Sequence, residues 1–152
     1  MPEVIGAAAV RARLREYLAE VLGALPAGSA LVLRHPDLPN AEFHGGVTLP
    51  WNDSDPGDAT AFVDIAYWVL GPDLDAADAC FDGVLRGWRE RGLTPVRDRD
   101  ARPRTGAVAT PDGYRLAIRQ GVRGHLSVAG STPPFPADPG AAEPFPDRID
   151  PA

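Results

Sequence analysis

The segment from Thr105 to Pro136 places the strongest limit on how this chain can fold. Its centre, Thr110-Pro111-Asp112-Gly113, has the order that a type I turn favours, because proline presets φ and glycine eases the exit. After this turn, and again after a second turn at 121–124, apolar and polar residues alternate with the period of a strand that has one buried face. The segment therefore predicts three antiparallel strands in a β-meander.

Two other stretches have the spacing of amphipathic helices. Residues 2–25 and residues 73–91 carry apolar side chains at steps of three and four, with charged residues between them. A meander does not fit a doubly wound parallel sheet, which needs a helical crossover between strands. We therefore predict an α+β fold, a two-layer sandwich in which an antiparallel sheet carries two helices packed on one face.

The rest of the chain is less regular. Short apolar runs predict further strands at 29–34, 41–44, 59–70 and 93–97. The run at 59–70 is apolar on both sides, which indicates a central strand, and the Gly- and Asp-rich residues 45–58 predict a loop. We expect a single folded domain at 1–132, followed by a proline-rich tail at 133–152 that is extended or disordered.

Composition excludes several classes of protein. With 152 residues, 44% of them hydrophobic, the chain can bury one core but is short for two domains. Its apolar runs are interrupted and its N-terminus lacks the order of a secretory signal, so we expect no membrane-spanning helix and a cytoplasmic location. The single cysteine, Cys80, excludes an internal disulfide. All 15 basic residues are arginine, which is typical of a GC-rich, actinobacterial genome.

Charge is unevenly distributed along the chain. Residues 1–85 have a net charge of −9, residues 86–132 of +6 and residues 133–152 of −3. A chain polarised in this way can steer a charged partner, although the two halves can also neutralise each other in the folded protein.

The first candidate binding site is the acidic segment of the predicted loop. It combines one aromatic residue with three carboxylates: Trp51, Asp53, Asp55 and Asp58. Clustered carboxylates suit a hard cation, but the glycine and glutamate positions of an EF-hand loop are not matched. The chain contains no P-loop or dinucleotide fingerprint, and its histidines lack the i,i+4 spacing of a metal motif. We therefore predict neither a metal nor a cofactor.

An alternative site is a pocket between the sheet and the 45–58 loop. His44 precedes two glycines, and Asp64 is a carboxylate in an apolar strand, where it needs a strand end or a hydrogen bond. With Trp51 they could line a pocket for a small molecule. His44 and an aspartate of the loop could also form a base and its orienting group. No nucleophile-elbow motif completes a triad, so no catalytic residue is predicted.

Two arginines and two phenylalanines complete the candidates. Strand periodicity places Arg115 and Arg119 on one outer face, where they could meet phosphates or an acidic protein. No aromatic residue joins them as a platform for bases, so nucleic acid is not an expected partner. The tail repeats a Pro-Phe-Pro unit around Phe135 and Phe145, which could dock onto another protein or lie on its own domain.

Three motifs resemble small actinobacterial proteins that are akin to mycobacterial lipoproteins of unknown function. The motifs are Gly87-Trp88-Arg89-Glu90-Arg91-Gly92, Thr110-Pro111-Asp112-Gly113-Tyr114-Arg115-Leu116 and Gly130-Ser131-Thr132-Pro133-Pro134. They lie within residues 74–136. The resemblance implies a helix-on-sheet fold and no catalytic residues.

Three hypotheses of function follow from the sequence. The first is a non-enzymatic domain that binds another protein, for example as an inhibitor or immunity-type partner of a toxin or effector. The second is a small-molecule-binding protein or enzyme that uses the pocket near His44 and Asp64. The third is an envelope-associated structural protein.

Overall fold

The computed structural model describes residues 6–50, 60–136 and 145–151. Within these ranges two α-helices pack against one antiparallel sheet, which confirms the predicted α+β sandwich. The helices are α1 (Ala7–Leu22) and α2 (Ala77–Glu90), and the strands are β1 (Ala30–Val32), β2 (Val47–Pro50), β3 (Thr60–Leu70), β4 (Val96–Arg97), β5 (Arg104–Ala109), β6 (Arg115–Gln120), β7 (Leu126–Ser131), β8 (Phe135–Pro136) and β9 (Arg148–Ile149). None of the described helices has the length and apolar character that crossing a membrane requires.

The sheet is organised around its longest strand, β3. The strands follow the order β4-β5-β6-β7-β3-β1-β9, and β2 and β8 pair with the first half of β3. Alternate residues of β3, from Ala61 to Val69, are buried. This position agrees with the central strand predicted at 59–70.

Strands β5, β6 and β7 form the predicted meander. The turn at 110–113 is closed by the Gly113 amide, which donates to the Thr110 carbonyl (3.0 Å), and Gly124 donates to Gly121 in the second turn (3.0 Å). Pairing runs without a bulge from one end of each hairpin to the other. Residues that alternate along the three strands therefore line up across the sheet.

Both helices pack on the same face, where two glycines make room for them. A Cβ on Gly130 of β7 would lie 2.6 Å from Leu14 Cδ1 of α1, and one on Gly106 of β5 would lie 2.5 Å from Leu85 Cδ2 of α2. Carbon atoms in contact normally stay about 3.5–4.0 Å apart. Only glycine therefore lets these buried leucines reach the backbone of the sheet.

Two predictions for the region before β3 were wrong. The predicted loop at 45–58 contains β2, and residues 41–44 lie outside any strand, where the Phe43 amide donates to the Leu33 carbonyl (2.9 Å). All four residues of β2 are exposed, and the alternation of Val47 and Leu49 with Thr48 is too short to distinguish a strand from a loop.

The predicted tail contributes to the sheet. β8 pairs with β3 and β9 pairs with β1, so the folded unit extends past the boundary expected at residue 132. Phe135, Phe145 and Ile149 are all buried in the core. The aromatic rings of the two Pro-Phe-Pro units therefore pack against their own domain, because burying a phenylalanine side chain is favourable by about 1.5–3 kcal/mol.

A polar network ties α1 to the first turn of the meander. Tyr17 and Thr110 both donate hydroxyl hydrogen bonds to Asp112 Oδ1 (2.6 Å each), and Arg13 Nε donates to Asp112 Oδ2 (3.5 Å). Burial opposes the charged form of Asp112, but the hydrogen bonds from Thr110, Tyr17 and Arg13 outweigh it. The pKa of Asp112 therefore lies below its ordinary value.

We expect this network to be weakened by acid. A depressed pKa in the folded state contributes stability above the unfolded pKa of about 4, and this contribution is lost as the pH falls through the folded pKa. The free energy of unfolding, measured in urea at pH 6 and pH 3, should therefore fall less in Asp112→Asn than in the parent chain. Asp73→Asn is the control, since Asp73 is exposed and makes no capping hydrogen bond. Equal pH dependence in all three proteins would contradict the assignment.

Candidate functional site

Among the described residues, no helix covers the sheet face opposite α1 and α2. Its centre is a row of alanines from four neighbouring strands, paired in the order Ala66, Ala129, Ala117 and Ala107. Val96 of β4 continues the row past Ala107 and is 69% exposed. We call this surface, from β3 to β4, the helix-free face. Its floor is apolar and shallow because methyl groups alone rise from the backbone.

Polar rows border the alanine floor on both sides. The first row consists of Asp64, Ser131, Arg115 and Ala109, and the second of Trp68, Ser127, Arg119 and Thr105. The hydroxyl of Ser131 donates to Asp64 Oδ1 (2.8 Å), which gives the strand carboxylate the hydrogen bond that the sequence required. Each row thus places one arginine beside the floor.

The helix-free face contains two clefts. The larger, about 590 Å³, lies around the second row and is lined by Trp68, Arg119, Arg123, His125, Ser127 and neighbouring residues. The smaller, about 450 Å³, lies over the alanine floor and includes Asp64, Val96, Arg115 and Ser131. Both are open to solvent over much of their area, which is a shape suited to a protein surface or to a loosely held ligand.

Within the described residues, the arginine side chains on this face form no ion pair. Arg115 and Arg119 are exposed, and the side chain of neither forms a hydrogen bond or ion pair within the described residues. The side chains of Arg99 and Arg123, which line the larger cleft, likewise have no such partner there. By contrast, Arg104 is buried. The face therefore carries guanidinium groups whose hydrogen-bonding capacity is available to a partner.

Buried Arg104 and its neighbour Arg102 serve the fold instead. Arg104 donates to Gln120 Oε1 (2.8 Å) and lies 4.0 Å from the centre of the Phe81 ring. Arg102 donates to Asp78 Oδ1 (2.9 Å) and to the carbonyls of Leu74 and Arg123. Burial raises the pKa of the nearby Cys80 thiol, so this cysteine is a protonated core residue.

The segment between β1 and β2 forms a wall beside the larger cleft. Trp68 Nε1 donates to the Ala41 carbonyl (2.6 Å), and the Phe43 ring lies 4.7 Å from the Trp68 ring. Leu38, from the same segment, also lines the cleft. These contacts hold the segment between β1 and β2 against Trp68, at the end of the second polar row.

At the base of this wall the structure brings together residues that the sequence analysis did not connect. His35 and Asp37 lie in the turn after β1, and His125 begins the approach to β7. Asp37 Oδ2 lies 3.9 Å from His35 Nδ1 and 3.6 Å from His125 Nε2. The His35-x-Asp37 spacing was the only local signal of this cluster, and nothing in the sequence indicated that His125 would join it.

The predicted site residues are distributed unevenly. Arg115 and Arg119 share the helix-free face as expected, and Asp64 lies on it too. Phe135 and Phe145 are core residues, so their rings are not available for docking onto a partner. His44 is exposed in the segment before β2 and is not among the residues that line the cleft beside Asp64, so the predicted pairing of these two residues is not formed there. Trp51, Asp53, Asp55 and Asp58 lie outside the described residues.

No protein-family model, curated protein or solved structure was found to match this chain. The resemblance to mycobacterial lipoproteins of unknown function stays a prediction. The functional argument therefore depends on the geometry of the helix-free face and of the cluster beside it.

Proposed function

We propose that this protein is a non-enzymatic interaction domain that binds an acidic protein through its helix-free face. The observation that carries the proposal is the alanine floor, bordered on each side by an exposed arginine whose side chain has no partner among the described residues. A sheet face normally buries its apolar side against another layer. Here the second face combines a flat apolar strip with guanidinium groups that residues 6–50, 60–136 and 145–151 leave unpaired, which suits a partner surface.

The shape of the floor supports a macromolecular partner. The alanine floor presents little side-chain volume, so side chains from a partner can approach the sheet backbone closely. Arg115 and Arg119 are four residues apart on one strand, a separation of about 13 Å. Two anchors at that distance, one on each side of an apolar strip, resemble the arrangement of an interface core with charged residues at its edge.

The charge of the face indicates the chemistry of the partner. Four arginines from the basic section of the chain each border at least one of the two clefts: Arg99, Arg115, Arg119 and Arg123. Carboxylates can accept paired hydrogen bonds from such guanidinium groups. We therefore expect the partner to present Asp or Glu around an apolar centre, and we expect association to slow as ionic strength rises.

Charge reversal of Arg115 and Arg119 should weaken partner binding at least tenfold, which corresponds to about 1.4 kcal/mol. Arginine is enriched among the residues that dominate the binding energy of interfaces, and glutamate would repel an acidic partner. The immobilised chain is used to capture proteins from an extract of its host, and the most abundant captured protein is then purified and titrated by calorimetry. Its affinity for Arg115→Glu/Arg119→Glu is compared with that for the parent chain.

Arg86→Glu is the matched control. Arg86 is exposed on α2, on the other side of the sheet, and no ion pair of its side chain is among those described. It undergoes the same change of charge, so an equal loss of affinity in this variant would indicate a general charge effect. Capture of no stoichiometric partner, or unchanged affinity after reversal of both face arginines, would contradict the proposed function.

A small anionic ligand is the second candidate, and the larger cleft favours it. Its volume of about 590 Å³ falls within the range of small-molecule sites, and Trp68 offers an aromatic surface beside Arg119. Titration with small carboxylates and phosphates distinguishes the two candidates. Saturable binding that is lost in Arg119→Ala but retained in Ala117→Glu would favour the ligand, since Ala117 lies on the floor of the other cleft.

The more specific role of an immunity-type inhibitor is part of the same proposal. Such inhibitors are proteins that bind a toxin or effector through a complementary surface, and the helix-free face has the charge for an acidic one. Genes beside the coding sequence provide a direct test. An adjacent gene for an acidic toxin would support this role, and its product should then be the protein captured by the parent chain.

A further inference from the structure

The cluster of His35, Asp37 and His125 joins two parts of the chain that are distant in sequence. His35 and Asp37 belong to the turn that follows β1, where the Leu38 amide donates to the His35 carbonyl (3.0 Å). His125 lies immediately after the turn that connects β6 to β7. One ligand atom from each of the three side chains lies within 4.8 Å of the others.

The distances are close to those of a metal centre. Four ligands at about 2.0–2.1 Å from a tetrahedral zinc ion are separated from one another by about 3.3 Å. Asp37 Oδ2 is already 3.6 Å from His125 Nε2 and 3.9 Å from His35 Nδ1. Side-chain movements of about 0.3 and 0.6 Å would bring the carboxylate to the ligand spacing of about 3.3 Å from each imidazole. The ligand atoms of the two imidazoles, which lie within 4.8 Å of each other, would have to approach by up to about 1.5 Å.

Hydrogen bonding among the described residues accounts for only part of the cluster. His125 Nε2 is buried and has no hydrogen-bond partner among the described residues, although it points toward Asp37. A buried polar atom left in this way costs about 1–3 kcal/mol unless something satisfies it. Both carboxylate-to-imidazole distances exceed the length of a hydrogen bond. A cation between the three groups would satisfy all of them together.

The donor atoms of the cluster also suit a cation. Nδ1 of His35 accepts a hydrogen bond from the Asp37 amide (3.1 Å), and a metal that used this nitrogen would replace that bond. The remaining groups are a carboxylate and a second imidazole, and this set of nitrogen and oxygen ligands is one that Zn²⁺ and related ions prefer.

We propose that His35, Asp37 and His125 form a binding site for a divalent transition metal of the zinc type, with a fourth position open to water or to a group from a partner. The ion would link the turn after β1 to the start of β7. It would thereby fix the base of the wall that includes Ala41 and Phe43 beside the larger cleft. The proposal is independent of partner binding on the alanine floor.

The test uses the full chain without an added histidine tag, after treatment with EDTA and removal of the chelator. Zn²⁺ is titrated in competition with a chromophoric chelator, and Co²⁺ is used as a spectroscopic probe. We expect one equivalent of metal per chain, visible Co²⁺ absorption of the intensity that four-coordinate sites give, and a melting temperature that rises with Zn²⁺.

Variants identify the ligands. His125→Ala and Asp37→Asn should each weaken Zn²⁺ binding at least tenfold and reduce the Co²⁺ absorption. His44→Ala is the matched control, because it removes the third histidine of the chain from an exposed position outside the cluster. Asp37→Asn provides the result if His125→Ala does not fold, since the Asp37 side chain is largely exposed.

Three results would overturn the proposal. They are a melting temperature that Zn²⁺ does not raise, a Co²⁺ spectrum no different from that of the hydrated ion, and equal weakening of Zn²⁺ binding in His44→Ala and His125→Ala. Because Arg115→Glu/Arg119→Glu leaves all three ligands intact, that variant should bind Zn²⁺ like the parent chain. Failure of the metal site can thus be distinguished from failure of the docking face.

Discussion

Phe81→Ala is expected to lower the free energy of unfolding by about 4 kcal/mol, since truncation of a buried phenylalanine removes apolar contacts and leaves a cavity. The side chain is completely buried on α2. Its ring packs over Gly106, where an added Cβ would lie 3.4 Å from Phe81 Cζ, and the ring centre lies 4.0 Å from the Arg104 guanidinium carbon. Loss of the ring would therefore weaken both the packing of α2 on the sheet and the cation–π contact with the buried Arg104. Urea denaturation followed by circular dichroism measures the change.

Phe43→Ala is the control for this experiment. Phe43 is partly exposed and packs on Trp68 at the margin of the helix-free face, so the same truncation should cost only about 1 kcal/mol there. The difference between the two variants in the free energy of unfolding measures how much more Phe81 contributes as a buried core residue than Phe43 does at the surface. Equal losses in both would show that Phe81 does not occupy the position that the structure assigns to it.

Gly130→Val is expected to destabilise the protein by about 3 kcal/mol, because added side-chain volume has to displace a packed leucine. A Cβ at this position would already lie 2.6 Å from Leu14 Cδ1 and 3.3 Å from Leu116 Cδ2. Valine adds two methyl groups to that conflict. The change would force α1 away from the sheet, and the shift in the urea midpoint measures its cost.

A double-mutant cycle tests the cause of this effect. If the clash is with Leu14, then Leu14→Ala and Gly130→Val together should cost at least about 1 kcal/mol less than the sum of the two single changes. Gly121→Ala is the control, since its nearest atom would be 3.7 Å away and a change within about 0.5 kcal/mol is expected. Strict additivity in the cycle would contradict the contact between α1 and Gly130.

These two predictions concern the helix-covered face, and they bear on function through the opposite one. Both helices are held by close contacts, α1 at Gly130 and α2 at Gly106. Neither helix can therefore cover the alanine floor without losing its packing on the opposite face of the sheet. The sheet therefore keeps one face bare within the described residues. A variant that loosens α1 or α2 should reduce partner binding only as far as it reduces the folded fraction.

Much of the fold could be predicted because its signals are local. The turn at 110–113 and the alternation on either side of it depend on residues that are neighbours in the chain, and so does the apolar face of each helix. A spacing of four on one strand is enough to place Arg115 and Arg119 on the same side. Strand β2 was not predicted because its four residues are all exposed and the alternation of Val47 and Leu49 is too short to identify a strand within a Gly- and Asp-rich segment.

The candidate sites depend on contacts between distant segments, which no local pattern records. The alanine floor exists because the registers of β3, β5, β6 and β7 align one residue from each strand. His35 and His125 meet because β3 lies between β1 and β7 and the turns at their ends converge. The proline-flanked Phe135 and Phe145 left docking onto a partner and packing on their own domain both open, and the structure buries both rings in the core, which is energetically favourable.

By itself, then, the amino-acid sequence determined which residues turn, which alternate and which side of each helix is apolar, since these properties follow from backbone geometry over a few residues. Tertiary structure alone decided which strands became neighbours and in what register. That choice depends on burying apolar surface from the whole chain at once. It produced both the bare face with its two arginines and the group of two histidines and an aspartate beside it.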